Sequence, residues 1–308
     1  MVQTVRSNSL NKKYLAVGVG LCALDYICII KKFPHPDEKH NAEVFSRQGG
    51  GPVPTALCVL GNFGEKTTFI GKCGNDSEGK IIENELNRFG VDTKGMVFDD
   101  HCHSPQAFIW VDSKSGARSV VLNRTDTPDL QPEELNKNML QSCRYLLIDG
   151  REIEASLAAA KIAKLSGAEI ILDAGSLRKN IHELLPLVDH LVVSKNFADK
   201  FTEESKQEKA ALNLLKNGFK SVVITLGVDG AVCATDNGFF HQEAFVVDVV
   251  DTTGAGDVFH GAFIYGLGRG WDMQKVVRFS CATAALKCRY IGGRTGIPSL
   301  DDVVRFLV

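Results

Sequence analysis

A chain of 308 residues, of which 44% are hydrophobic and 23% charged, is long enough to bury a large core within one main domain. Its net charge of −2, with acidic and basic residues mixed along the chain, provides no field for a polyanion, so no nucleic-acid partner is expected. The longest apolar run, residues 14–30, is broken by Asp25 and by glycines and is too short for a membrane span, so no membrane association is expected.

The cysteines and the first residues bear on cellular location. Nine cysteines, an odd number at irregular spacing, predict free thiols in a reducing, cytoplasmic environment. Residues 1–13 are polar and lack the pattern of a secretory signal. We expect them to form a disordered leader before a single domain over residues 14–308.

The first part of the chain alternates apolar runs with turns. Residues 14–20 predict a strand that ends in glycines, and residues 25–30 resume as a second strand. Pro52 follows three glycines and predicts the first turn of a helix. Residues 67–71 predict a strand, and Asp76 predicts the cap of a helix that runs through residue 89.

Two segments do not fit a parallel sheet. Alternation at residues 107–111 and 119–122, around a turn, predicts a β-hairpin. Together with the strand after Asp25, this hairpin predicts a small β-sheet lid, from about residues 25–48 and 105–125, over one edge of an α/β body.

The second half alternates strands with helices, which predicts a parallel sheet covered on both faces. The predicted strands are residues 145–148, 169–172, 191–193, 221–225 and 246–250, and the predicted helices are residues 155–165, 181–185, 206–217, 255–269 and 273–289. The fold class expected is therefore α/β.

The segment Asp251-Thr-Thr-Gly-Ala-Gly-Asp257 lies between a strand-like run and an apolar helix. Glycines before a helix leave backbone N–H groups free to converge, and the helix dipole adds positive potential, so Gly254, Ala255 and Gly256 predict an anion hole. Asp257 beside that hole fits a base that accepts a proton from an attacking hydroxyl during phosphoryl transfer. The alternative is that Asp257 only caps the helix.

This segment, followed by Phe259 and Gly261, resembles the C-terminal signature of the ribokinase (PfkB-type) carbohydrate kinase family. Gly50-Gly51 resembles the double-glycine motif of that family, and the resemblance spans nearly all of residues 14–307. It implies a ribokinase-like three-layer α/β/α sandwich with a β lid. It also implies a kinase that uses ATP and Mg²⁺ to phosphorylate a primary hydroxyl of a sugar.

The resemblance further implies roles for single residues. Asp257 matches the catalytic base of the family, and the amides of residues 254–257 match its anion hole. Asp251 and Thr253 match positions around a monovalent cation, K⁺. Lids of this type often form the dimer interface in the family, so a homodimer through the lid is expected.

The nucleotide pocket is less clear in the sequence. No Gly-x-x-x-x-Gly-Lys-Ser/Thr motif is present, which excludes a P-loop kinase. The family's Asn-x-x-Glu, which assists magnesium, is replaced by Ser194-Lys-Asn-Phe197, so direct Mg²⁺ ligands stay unassigned. The resemblance implies nucleotide contacts from Ser194, Thr225, Gly227, Gly230, Ala282 and Ala285.

On the acceptor side, Asp25 matches the family aspartate that holds sugar hydroxyls, and a lone carboxylate after an apolar run is costly to bury. Its alternative role is to cap a turn. Thr55 replaces the asparagine that touches the sugar in the family, which argues against ribose as the default acceptor. The substrate-binding residues implied are Asp25, Lys39, Gly50, Gly51, Thr55, Asn123 and Arg151.

The sequence looks most like the sulfofructose kinase branch of the family. In that branch, positions such as Lys39, Asn123 and Arg151 clasp a sulfonate, and cationic and amide groups suit a small oxyanion. Each of these residues alone is more often a solvated surface residue. The expected acceptor is a ketohexose-like sugar, with the anionic 6-deoxy-6-sulfofructose as one candidate and fructose, ribose or a nucleoside as alternatives.

Two other classes compete with a kinase. Residues 18–23 satisfy a Gly-x-Gly-x-x-Ala dinucleotide pattern, but the next residues predict a strand instead of the helix that must meet the pyrophosphate. A non-catalytic sugar- or nucleotide-binding regulator would keep the fold and lose the chemistry. Retention of Asp257 beside a complete glycine-rich hole speaks against that second class.

Overall fold

A nine-stranded β-sheet is the largest element of the computed structural model, which describes residues 12–308. The predicted leader over residues 1–13 falls, except for Lys12 and Lys13, outside the described residues. The strands are β1 (Tyr14–Val19), β2 (Ala23–Ile30), β3 (Val44–Gly50), β4 (Thr67–Ile70), β5 (Lys72–Gly74), β6 (Val91–Asp92), β7 (Val97–Asp99), β8 (Gln106–Asp112), β9 (Arg118–Asn123), β10 (Cys143–Ile148), β11 (Glu169–Ala174), β12 (His190–Ser194), β13 (Ser221–Thr225), β14 (Ala231–Thr235) and β15 (Gly238–Gln242). The helices are α1 (Pro52–Asn62), α2 (Ser77–Arg88), α3 (Lys137–Gln141), α4 (Ile153–Leu165), α5 (Lys195–Thr202), α6 (Gln207–Leu215), α7 (Ala255–Gly268), α8 (Met273–Lys287) and α9 (Leu300–Leu307).

The large sheet has the strand order β15-β14-β13-β12-β11-β10-β1-β4-β6. Neighbouring strands are parallel except at β13/β14 and β14/β15. One apolar core joins the sheet to α1, α7 and α8, and a second core on the other face joins it to α4, α5 and α6. The predicted α/β fold with helices on both faces is therefore confirmed.

Helix α7 runs through the first of these cores. Every residue from Val258 to Gly266 is buried, and a helix that is apolar all round is expected to be buried. Gly261 allows the close approach of α7 to α1, because a Cβ at this position would overlap the carbonyl group of Ala56. The packing of α7 fixes the position of its N-terminus, where the glycine-rich segment ends.

A separate four-stranded sheet has the order β3-β2-β8-β9. Strand β2 is antiparallel to β3 and parallel to β8, and β8 and β9 form the predicted hairpin. Ile27, Ile109 and Val111 form part of its small core. The sheet lies in the segments predicted to form a lid, and its action as a lid stays a prediction.

Two predicted elements are wrong. Residues 246–250 form no strand: they lie beyond the last strand of the sheet, Val246 is 98% exposed, and the N–H of Val250 donates to the carbonyl of Cys288, outside any strand. Residues 181–185 form no α-helix but belong to two short 3₁₀ turns, because Pro186 lacks the N–H that a longer helix needs.

No helix within residues 12–308 combines the length and the apolar character that a membrane crossing requires.

Candidate active site

Two aspartates and two residues predicted to contact the nucleotide lie at the carboxyl ends of the parallel strands, the edge at which open α/β sheets bind ligands. Asp149 follows β10, and Asp173 lies near the end of β11. Ser194 ends β12 and Thr225 ends β13, and the parallel register places these two residues opposite each other. Two residues predicted to contact the nucleotide therefore lie side by side.

The glycines of residues 251–257, here called the phosphate loop, have different local requirements. Gly254 is the N-cap of α7 with φ 76°, a left-handed conformation that favours glycine. A Cβ at Gly254 would also lie 2.6 Å from the Cα of Gly293. A Cβ at Gly256, in contrast, would meet open space. Backbone geometry therefore explains Gly254, whereas Gly256 leaves room for a ligand.

Three of the seven backbone N–H groups of the phosphate loop, those of Gly254, Gly256 and Asp257, have no acceptor within residues 12–308. The N–H of Ala255 donates to the carbonyl of Thr252 at 3.2 Å, so one of the predicted anion-hole amides is already engaged. The N–H groups of Gly254, Gly256 and Asp257 donate to no backbone carbonyl outside α7 in the described part of the chain. Free N–H groups at a helix N-terminus attract an anion.

Asp257 lies in the first turn of α7 without capping it. The N-cap is Gly254, and the Asp257 carboxylate forms no hydrogen bond with any of residues 12–308. Asp76 and Asp272, in contrast, cap their helices by accepting backbone N–H groups. Burial raises the pKa of Asp257, although the positive charge of His260 opposes the rise. A partly buried carboxylate without a partner suits proton transfer.

One turn after Asp257, His260 connects α7 to the sheet. Its Nδ1 lies 2.7 Å from the carbonyl oxygen of Gly256 and 3.4 Å from Oδ2 of Asp173, and its Nε2 lies 3.3 Å from the carbonyl oxygen of Val192. Oδ2 of Asp173 is buried and accepts no hydrogen bond from the described residues. Burial raises the pKa of Asp173 to about 6. Neither side chain was predicted from the sequence, because His260 lies between the signature residues Phe259 and Gly261 without being one of them and Asp173 belongs to no motif.

Asp25 lies on β2 with 7% of its surface exposed. Burial raises its pKa to about 7, the guanidinium of Arg294 lowers it, and the charge of Asp257 raises it further. A Cβ at Gly50 would overlap the Asp25 carboxylate, so a glycine is required there. Asp25 and Asp257 therefore share one electrostatic environment.

The double-glycine turn is held by a residue from the end of the chain. Arg294 is 1% exposed, its Nη2 donates to the carbonyl of Gly50 at 3.0 Å, and its N–H donates to Oε1 of Gln48 at 2.8 Å. Gly51 is the N-cap of α1 with φ 97°. Arg294 was missed as a site residue because nothing local to it indicates the distant glycines.

Thr55 connects the acceptor side with the phosphate loop. It is buried in the first turn of α1, and its N–H donates to the carbonyl of Gly51 at 3.1 Å. A Cβ at Gly293 would lie 3.7 Å from Cγ2 of Thr55, and Gly293 itself contacts Gly254. Gly293 is therefore the only residue that separates Thr55 from the anion hole at this point of the structure.

Two arginines lie close to the acidic groups of the carboxyl edge. The N–H of Arg151 donates to Oδ1 of Asp149 at 3.0 Å, while its Nε is buried and has no hydrogen-bond partner in residues 12–308. The charge of Arg151 lowers the pKa of Asp257. Burial and the charge of Arg151 lower the pKa of Arg178, which follows β11 and was missed in the sequence. The two residues follow the neighbouring parallel strands β10 and β11, so both guanidinium groups belong to the carboxyl edge.

The other two residues predicted to bind a substrate anion lie in the small sheet. Asn123 ends β9, and its Nδ2 donates to Oε1 of Gln106 at 3.3 Å across the hairpin. Lys39 is exposed in the loop between β2 and β3 and forms no hydrogen bond or ion pair with any described residue. No such contact links either residue to Arg151.

The predicted nucleotide turn contains two glycines with positive φ. Gly227 has φ 64°, and a Cβ there would meet nothing, whereas a Cβ at Gly230 would overlap the carbonyl oxygen of Gln242. Gly230 thus serves the packing of the edge strands, and Gly227 leaves space for a ligand. Ala282 is buried on α8, and Ala285 is partly exposed.

Asp251, one of the two residues predicted to surround a monovalent cation, already accepts hydrogen bonds at all three of its oxygens. Oδ1 of the fully buried Asp251 accepts the N–H of Thr253 at 2.7 Å, and Oδ2 accepts the N–H of Gly292 at 2.6 Å. The carbonyl oxygen of Asp251 accepts Nζ of Lys287 at 2.8 Å. Within residues 12–308, no group of three or more His, Cys, Asp or Glu side chains could hold a metal ion.

Comparison with known proteins identifies the family and the fold of this chain. The sequence model of a family described as "pfkB family carbohydrate kinase" matches residues 13–300. A ribokinase of Staphylococcus aureus is 28% identical over 93% of this chain and 97% of its own length, and a 5-dehydro-2-deoxygluconokinase of Shouchella clausii is 26% identical over 95% of each. The structure of a putative ribokinase II from Escherichia coli in complex with ATP and Mg²⁺ has a similar fold, with a TM-score of 0.85, 24% identity and coverage of 96% and 99%.

Proposed function

Since the chain belongs to the pfkB family of carbohydrate kinases, we propose that it transfers the γ-phosphoryl group of MgATP to a primary hydroxyl of an anionic sugar derivative. The first candidate for this acceptor is 6-deoxy-6-sulfofructose. ATP and Mg²⁺ are the ligands named for the E. coli structure of the same fold. The observation that carries the proposal is Asp257, a carboxylate without a partner beside free backbone amides.

The chemistry follows from the arrangement of the phosphate loop. Asp257 accepts the proton of the sugar hydroxyl while the oxygen of that hydroxyl forms a bond to the γ-phosphorus. At the same time the bond between the γ-phosphorus and the oxygen that bridges to the β-phosphate breaks, and ADP leaves. The N–H groups of Gly254, Gly256 and Asp257 stabilise the charge on the γ-phosphoryl oxygens. Asp25 binds sugar hydroxyls at the other side of the acceptor.

Magnesium would be held mainly by the phosphates of ATP, as is usual for Mg²⁺ at kinase sites. The absence of a cluster of metal-binding side chains in residues 12–308 fits this arrangement. The hydroxyl of Ser194 donates to the carbonyl of Gly175 at 2.9 Å and accepts the N–H of Phe197 as the N-cap of α5. Ser194 therefore contributes to the shape of the nucleotide side, and we assign it no metal.

The preference for an anionic acceptor rests on Arg151 and Arg178. Arg151 keeps a buried, unpartnered Nε, and Arg178, which follows the neighbouring strand β11, adds positive charge to the same edge of the sheet. Guanidinium groups bind small oxyanions through paired hydrogen bonds, and a sulfonate supplies three oxygens for them. The exposure of Lys39, which forms no hydrogen bond or ion pair with residues 12–308, supports the alternative of a neutral sugar.

A substrate screen tests both candidates. Sugar-dependent ADP formation is measured with fructose, 6-deoxy-6-sulfofructose, fructose 6-phosphate, ribose, ketodeoxygluconate and nucleosides. We expect the highest kcat/KM for an anionic ketose, and we expect Arg151→Met to lower that value by roughly 10–100-fold because a charged hydrogen bond is lost. Its effect on fructose should stay below about 3-fold, since a neutral sugar does not need the charge.

Arg144→Met provides the control, because Arg144 lies near the opposite end of the same strand, β10, and donates to the carbonyl of Gly268. It should change no substrate preference. Preference for a neutral sugar, with equal effects of Arg151→Met on all sugars, would contradict the anionic acceptor. Turnover of none of these acceptors would contradict the kinase itself.

We also infer that a second copy of the chain covers the small sheet. Its edge strand β9 is exposed along its whole length and includes Val120 and Val121, and Phe45 on the other edge strand is 61% exposed. Unpaired, apolar edge strands favour association. Sedimentation should give a dimer that Val121→Lys converts to a monomer, whereas Val304→Lys on α9 should not. A monomeric wild-type protein would contradict this inference.

A reducing cytoplasmic location is the setting that fits the thiols. All nine cysteines are unpaired in the structure. Free cysteines at this number are typical of proteins kept in a reducing compartment. A fluorescent fusion found outside the cytoplasm would contradict the inference.

A further inference from the structure

Lys287, the last residue of α8, is buried completely, with 0% of its surface exposed. Its Nζ donates to the backbone carbonyl oxygen of Asp251 at 2.8 Å, at the start of the phosphate loop. Removing an ammonium group from water costs several kcal/mol unless opposite charge compensates for it. Burial lowers the pKa of Lys287, and the negative charges of Asp251 and Asp257 oppose this effect and favour the ammonium form.

Each oxygen of Asp251 already has a donor, and the donor at its carbonyl is itself a cation. Both carboxylate oxygens accept backbone N–H groups, from Thr253 at 2.7 Å and from Gly292 at 2.6 Å. The carbonyl oxygen accepts Lys287. The buried hydroxyl of Thr253 lacks a hydrogen bond within residues 12–308, and a neutral hydroxyl alone is a poor site for a monovalent ion. The K⁺ site expected at Asp251 and Thr253 therefore does not fit this chain.

We propose that the ammonium group of Lys287 takes the place of a monovalent cation behind the phosphate loop. The ammonium fixes the turn at Asp251 and adds positive potential close to the free amides at Gly254, Gly256 and Asp257. The charge is part of the chain, so each molecule carries it and the kinase works without added K⁺. For its activity measurements this proposal rests on the proposed kinase function, whereas its stability measurements do not.

The first test concerns the wild-type protein. Phosphorylation of its best sugar is measured in KCl, NaCl and choline chloride at equal ionic strength, with ADP separated and quantified directly so that no coupling enzyme adds its own ion requirement. We expect rates that agree within about 2-fold, and thermal melting midpoints that agree as well, because K⁺ has no site to bind. A rate at least tenfold higher in KCl would overturn the proposal.

The second test removes the charge. Lys287→Met keeps the length of the side chain, and we expect its rate in choline chloride to fall by roughly 10²-fold because the phosphate loop shifts. KCl or NH₄Cl should restore part of the rate and should raise the melting midpoint of Lys287→Met relative to choline chloride, since an ion that binds only the folded state stabilises it. The wild-type midpoint should not respond.

Lys275→Met is the matched control, because Lys275 is exposed on the same helix. It should behave as the wild type in every salt. Full activity of Lys287→Met in choline chloride would overturn the proposal. If that variant does not fold, Lys287→Arg keeps the positive charge and should stay independent of K⁺, and a K⁺ requirement in this variant would equally count against the proposal. Should the wild type phosphorylate no sugar, the melting measurements still decide whether K⁺ binds.

Discussion

Two buried histidines, His190 and His260, have different surroundings. One lies at the amino ends of the parallel strands, here called the amino edge, and the other lies on α7 at their carboxyl ends, the carboxyl edge. His190 begins β12 at the amino edge, where its Nδ1 lies 2.7 Å from Oγ of Ser221 and its Nε2 lies 2.8 Å from Oε2 of Glu169. The hydrogen bond with His190 lowers the pKa of Glu169 to about 2. Both ring nitrogens and the carboxylate have partners, so this pair has a structural role.

His260 lies at the carboxyl edge and meets Asp173, whose Oδ2 is 3.4 Å away and has no hydrogen bond within the described residues. Burial raises the pKa of Asp173 to about 6. An unsatisfied buried group costs about 1–3 kcal/mol, and such groups concentrate at functional sites. A histidine–carboxylate pair is therefore fully hydrogen-bonded at the amino edge. A similar pair at the carboxyl edge, to which we assign catalysis, keeps an unsatisfied carboxylate oxygen.

The largest effect is expected from a glycine at the carboxyl edge. In Gly254→Ala the new Cβ makes the positive φ unfavourable and clashes with the backbone of Gly293. We therefore expect the anion hole to shift and kcat to fall by about 10²–10³-fold. Gly218→Ala is the control, since Gly218 has φ 91° with open space around it and lies before β13 at the amino edge.

The left-handed conformation should cost each of these variants about 1–2 kcal/mol of unfolding free energy, measured with urea. Only Gly254→Ala should lose activity. Equal losses of activity in both variants would remove the distinction between the two edges.

The two histidines provide the next comparison. His260→Asn should lower kcat by about 10–100-fold, because the Gly256 carbonyl and the peptide that carries the Asp257 N–H lose their support. His190→Asn should leave kcat unchanged and lower the free energy of unfolding by about 1–3 kcal/mol, since Glu169 and Ser221 lose their partner. Steady-state kinetics and urea denaturation measure both quantities. A drop in kcat for His190→Asn alone would reverse the assignment of the edges.

Glu169, at the amino edge of the large sheet, and Asp25, on β2 of the small sheet, predict opposite effects of pH on stability. The folded pKa of Glu169 is lowered from 4.5 to about 2, so its contribution is present above the unfolded value and is lost as pH falls through 2. The folded pKa of Asp25 is raised from 3.8 to about 7, so its ionisation costs stability. That cost is absent below about pH 4, the unfolded value, and complete above the folded value.

Asp25→Asn should therefore raise the free energy of unfolding by about 2 kcal/mol at pH 8 and leave it unchanged near pH 4. Glu169→Gln should lower it by less than about 1 kcal/mol at pH 8, because Glu169 is partly exposed and solvent screens its charge. Urea denaturation at the two pH values measures these changes. A stability loss for Asp25→Asn at pH 8 would contradict the high pKa of Asp25.

The smallest effect is expected at Lys39. As an exposed cation without a partner in residues 12–308, it contributes to binding only in the manner of a surface ion pair. Lys39→Ala should raise KM for the anionic sugar by about 2–5-fold and leave KM for fructose unchanged. Lys114→Ala, an exposed lysine in the hairpin turn, is the control. No change for the anionic sugar would remove Lys39 from the substrate site.

Features with local causes were predicted from the sequence. The cap at Asp76, the helix that begins at Pro52 and the hairpin of β8 and β9 depend on neighbouring residues, and the structure confirms all three. Residues 246–250 have strand-like composition, but no neighbouring strand is available to pair with them, and pairing is a property of the whole sheet.

The supporting side chains of the site depend on distant contacts. Arg294 binds the carbonyl of Gly50 from 244 positions away, and Lys287 reaches Asp251 from 36 positions away. His260 on α7 meets Asp173 on β11, although the two residues are far apart in the sequence. No short pattern contains both members of such a pair, so the motif residues were found and the residues that hold them were missed.

Phosphoryl transfer by Asp257→Asn tests the central claim most directly. The wild type and the variant are incubated with γ-labelled ATP and the best sugar, and label on the primary hydroxyl is measured beside the Kd of ATP and of sugar. We expect both Kd values within about 3-fold of the wild type and transfer reduced by about 10³-fold, the effect of losing a general base. Transfer by Asp257→Asn at the wild-type rate would contradict the assignment of Asp257 as the base.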